Sequence, residues 1–163
     1  MIFLIEAIIL CLLFTAIVVP SVIKNPLAWI TDYPPEIQKY VKEMGMVPAD
    51  PKPISTAVVV RKAVAGLLMV VVLTVVLICF NQAKTFVEGF RLSYGLWSVI
   101  TWYDALVLDC MWFCHSKKVV IPGTESLEKS YHDYWFHIKM SMIGMLLGIP
   151  ISLLTGLAVM VFA

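Results

Sequence analysis

Four stretches of the chain stay apolar for longer than a soluble helix or strand would. Ala7 to Ile23 and Ala63 to Phe80 contain no charged residue, a third stretch begins at Leu92, and a fourth runs from Met140 to Ala163. A helix rises 1.5 Å per residue, so about 20 apolar residues cross a hydrocarbon core of about 30 Å. The pattern predicts an all-α, integral membrane four-transmembrane-helix bundle, a single domain over 1–163, with spans at about 2–23, 57–80, 90–114 and 136–162. Glu6 stands where a signal peptide would carry Lys or Arg, so the first stretch reads as a retained span.

The two longer connections are 24–56 and 115–135. Within the first, Asp32 and Pro34-Pro35 signal a helix start and Gly45 a stop. Between them Ile37, Tyr40, Val41 and Met44 recur at helical spacing, with Gln38, Lys39, Lys42 and Glu43 opposite, which predicts a short amphipathic helix. Such a helix lies in the membrane interface or packs over the bundle ends. The stretch after it, with Pro48, Pro51 and Pro53, is expected to be extended, and Pro122-Gly123 in the connection 115–135, the third along the chain, to turn.

Composition agrees with the pattern: 61% of the 163 residues are hydrophobic and 14% charged, and the mean hydropathy of +0.91 is that of a membrane protein. The net charge of +1 leaves no massed basic surface, so no nucleic acid is expected as partner. Placement of the charge is more telling. Lys24, Lys39, Lys42, Lys52, Arg61 and Lys62 lie in or beside the first connection, and Lys117, Lys118, Lys129 and Lys139 in or beside the third, against Lys84 and Arg91 in the second. The positive-inside rule therefore places 24–56 and 115–135 in the cytoplasm and both termini outside the cell membrane. The four cysteines fall in apolar stretches at spacings that suggest no disulfide framework.

Chemistry-bearing residues gather between Trp102 and Lys139, which hold all three histidines, His115, His132 and His137. Counted from Leu92, Asp104 stands ~18 Å and Asp109 ~25 Å along the third span. An ionisable group at such depth needs a partner or a proton, which marks Asp104 as a candidate proton or ion site. Asp109, His137, His132, Asp133 and Glu125 form the candidate catalytic set, expected around one cytoplasm-side pocket, with Asp109 and His137 inside it. His132, His137 and Asp133 are weak candidates for a divalent metal, because His-x-x-x-His is absent and their spacing matches no metal signature. On the fourth span, Gly144, Gly148, Ser152 and Gly156 continue the face of His137 and Ser141. Such a small-residue stripe serves a homo-oligomer or membrane partner as readily as a neighbour in the same chain.

Three functions are compatible with these residues. The first is a membrane-embedded enzyme acting on a lipid or other apolar substrate through the carboxylate and histidine pocket, with membrane lipid as partner. The second is a small transporter or channel subunit using Asp104, and the third a non-catalytic membrane assembly protein. One-sided chemistry suits the first best, since beyond the interface the outer halves of the spans offer hydroxyls such as Thr74, Ser93 and Thr155 but no ionisable group.

Overall fold

The computed structural model describes residues 2–48 and 56–163; Pro51 and Pro53, expected to be extended, lie outside them. The described residues are all-α, with no strand. In order they form α1 (Ile2–Lys24), a 3-10 turn (Pro26–Asp32), α2 (Pro35–Glu43), α3 (Thr56–Cys79), α4 (Phe86–Tyr103) and a π-helical segment (Asp104–Trp112). Short 3-10 turns, α5 (Glu128–Tyr131) and α6 (Tyr134–Phe162) follow. Among the described residues three helices are long and apolar enough to cross a membrane: α1, α3 from Val58, and α6. Only 11%, 22% and 28% of their most apolar windows are covered by protein, so their apolar surface is available to lipid.

The third expected span is not among these three. Its helix α4 begins at Phe86 rather than near 90 and leaves α-geometry after Tyr103, where hydrogen bonding widens to i→i+5 over nine residues. Its start follows from a reciprocal cap. Thr85 Oγ1 accepts from the Glu88 N–H at 3.2 Å, while Glu88 Oε2 accepts from the N–H of Thr85 and of Lys84 at 3.0 and 2.9 Å.

The chain divides into two compact units. One comprises 2–10, 56–101 and 143–163, with a core of Ala7, Leu73, Leu77, Leu96 and Val159. Here the small stripe of α6 packs on α4. A Cβ added to Gly148 would lie 2.3 Å from the Trp97 ring, and one on Gly156 2.8 Å from the Phe86 carbonyl oxygen. Trp97 Nε1 donates to the Gly144 carbonyl at 2.9 Å. Of the readings open to the stripe, the neighbour in the same chain is the one seen: Trp97 and Phe86 fill the groove that the missing side chains leave.

The other unit comprises 11–48 and 102–142. Its core joins Val22, Tyr33, Ile37, Val41, Phe113, Val119, Ile121 and Tyr131. Ile37 and Val41 are fully buried, so that part of the apolar face of α2 packs on protein, while Met44 at its end is exposed. The Tyr33 ring meets Phe113 edge-on at 4.8 Å, and its hydroxyl donates to the Val119 carbonyl at 2.8 Å. Burial holds the Tyr33 hydroxyl pKa above its ordinary value.

Candidate functional site

Asp109 and His137 meet in the second unit. Asp133 Oδ1 accepts from the Phe136 N–H at 3.0 Å and starts α6, which places His137 in the first turn, 2% exposed and with Phe113 and Phe136 each edge-on at 5.2 Å. Its Nδ1 lies 3.2 Å from Asp109 Oδ2. A carboxylate only accepts hydrogen bonds, so in this contact Nδ1 is the donor, and a neutral ring so held has its lone pair at Nε2. That Nε2 is buried and has no hydrogen-bond partner among the described residues.

The pair borders a cavity of about 300 Å³ whose other acidic side chains are the carboxyls of Asp104 and Asp32 and the Tyr33 phenol. In an α-helix two residues five apart point roughly 140° away from each other. The i→i+5 winding of 104–112 stacks them instead, and Asp104 and Asp109 consequently line the same cavity. Asp32 reaches it from the turn before α2. Although the residue is exposed at the rim, partial desolvation and then the neighbouring Asp109 carboxylate raise its carboxyl pKa. Trp29, Trp112 and Ser141 also contribute to the lining.

The remaining candidates lie elsewhere. Glu125 and His132, with His115, border a separate depression of about 530 Å³. Both Glu125 oxygens accept from the Gly123 N–H at 3.0 Å, which closes the Pro122-Gly123 turn and lowers the Glu125 pKa. His132 Nδ1 is 2.9 Å from the Glu128 carbonyl oxygen, and its ring meets His115 edge-on at 5.3 Å. Asp133 serves as a helix cap, because α6 starts one residue after it and leaves it outside the helical face of His137. His132, His137 and Asp133 are therefore not gathered as metal ligands. Among the described residues no group of three His, Cys, Asp or Glu side chains is arranged to hold an ion.

Compared with known protein families, curated proteins and solved structures, the chain gives no match. The site is therefore interpreted from its own geometry. Its arrangement can move a proton at Nε2, with Asp109 fixing the ring and balancing an imidazolium. Asp32 was visible in the sequence only as a helix-start residue, since nothing in its spacing announces a contact with residues 70 positions or more away.

Proposed function

We propose that the chain is a four-crossing membrane protein, with α4 and the π-helical segment as the third crossing, that performs acid–base chemistry on a membrane-partitioning substrate. The observation that carries the reading is the Asp109–His137 contact at 3.2 Å beside a cavity, with Nε2 unpartnered. A buried imidazole oriented by a carboxylate is a competent general base, and the remaining carboxylates stabilise the imidazolium once the proton has moved. The cytoplasmic placement of 24–56 and 115–135 rests on the basic asymmetry alone.

A second reading, a proton or cation site, draws support from Asp104 sharing the cavity with Asp109 and Asp32. A polar route is the weaker interpretation, because Thr15, Thr74, Ser93, Ser98 and Thr155 each donate to a carbonyl of their own helix. The test compares membrane lipid composition in cells producing the wild type, Asp109→Asn or His137→Ala at equal levels. The wild type alone should alter the lipid profile. A variant that folds, melts like the wild type and still produces the alteration would overturn the acid–base role.

A further inference from the structure

Among the described residues, three carboxylates, one imidazole and the Tyr33 phenol are the ionisable groups that border the His137 cavity, and no Lys or Arg lines it. Anionic groups are repelled by such a site and cations attracted. The buried Nε2 is a separate observation that points to a ligand, since a polar atom withdrawn from water without a partner is unfavourable until something hydrogen-bonds to it. In a neutral ring with Nδ1 committed to Asp109, Nε2 accepts and the ligand must donate.

We propose that this cavity binds an organic ammonium ion bearing N–H donors, the primary amine head of an amphiphile, with His137 Nε2 accepting one N–H and Asp104 and Asp32 neutralising the charge. The proposal rests on the acid–base reading of the same site and names its substrate class. The indole rings of Trp29 and Trp112 add faces that attract a cation, and Phe14, Val18 and Met140 give the alkyl chain an apolar wall. A quaternary ammonium satisfies the carboxylates but leaves Nε2 unpaired. A bare metal ion lacks a convergent set of ligands among the described residues.

The test titrates the full chain in nanodiscs with octylammonium chloride, octyltrimethylammonium chloride, octan-1-ol and magnesium chloride, read by calorimetry and melting temperature. Octylammonium should bind about tenfold or more tightly than the trimethyl compound and the alcohol, as loss of one hydrogen bond to a charged group implies. His137→Ala should erase the preference for the primary amine. Asp32→Asn, at the exposed rim and tolerant of change, should weaken both cations while leaving the alcohol unaffected. Equal binding of octylammonium and octanol, unchanged cation affinity in Asp32→Asn, or saturable binding of magnesium in place of the amine would overturn the proposal. Binding is read without turnover, so the two readings fail separately. Amine binding with no lipid phenotype keeps the ligand class and loses the chemistry, and the reverse result keeps the chemistry and loses the amine.

Discussion

Tyr131 shows how single polar atoms hold the connection that flanks the site. Its hydroxyl accepts from the Ile121 N–H at 3.0 Å and lies 2.6 Å from Thr124 Oγ1, while Thr124 donates to the Ile121 carbonyl at 2.7 Å. All three residues are buried. Tyr131→Phe keeps the ring and strands the Ile121 N–H away from water, so it should cost about 1–3 kcal/mol, read as reduced resistance to denaturant in nanodiscs. Unchanged stability would show that water reaches this amide. At this scale the sequence marks residue type well and partners poorly. Asp109 and His137 stand out as ionisable groups in apolar surroundings, and they do meet. Glu125 and Asp133 stand out equally but close a turn and cap a helix. Their positions, two residues after Pro122-Gly123 and just before an aromatic helical run, carried that signal.

Among the elements, α6 follows its periodicity closely. Gly148, Ser152 and Gly156 are buried while Leu146 and Leu147 are 64% and 61% exposed, as a single small face predicts. Gly148→Leu drives a side chain into the Trp97 ring and should cost several kcal/mol, whereas Leu147→Ala should remain within about 0.5 kcal/mol. Equal, small shifts in melting temperature would show that α4 and α6 are not in contact there. The amphipathic helix α2 was equally legible, but its neighbours were not. Period 3.6 reports which side is apolar and not whether protein or lipid covers it. The π-helical segment had no sequence signal at all, because hydropathy patterning assumes α-winding. That winding is what brings Asp104 beside Asp109.

Across the whole chain, three apolar helices are long enough to cross a membrane, and the proposed sidedness rests on the basic asymmetry. Replacing the native cysteines and placing single probes at Lys39, Lys129 and Lys84 should leave the first two protected from an impermeant thiol reagent outside the cell and the third reactive. Labelling at Lys39 from outside would reverse the orientation. Function hangs on fewer atoms. The account requires that His137 be held by Asp109 with its Nε2 free to take a proton, and nitrogen-15 NMR of histidine-labelled protein in nanodiscs reads that directly. The His137 signals should show a protonated Nδ1 and an unprotonated, pyridine-like Nε2 in the neutral ring, and Asp109→Asn should invert the pattern, because an amide N–H donates to Nδ1 and moves the proton to Nε2. A neutral His137 with its proton on Nε2 in the wild type, unaltered by Asp109→Asn, would contradict the account.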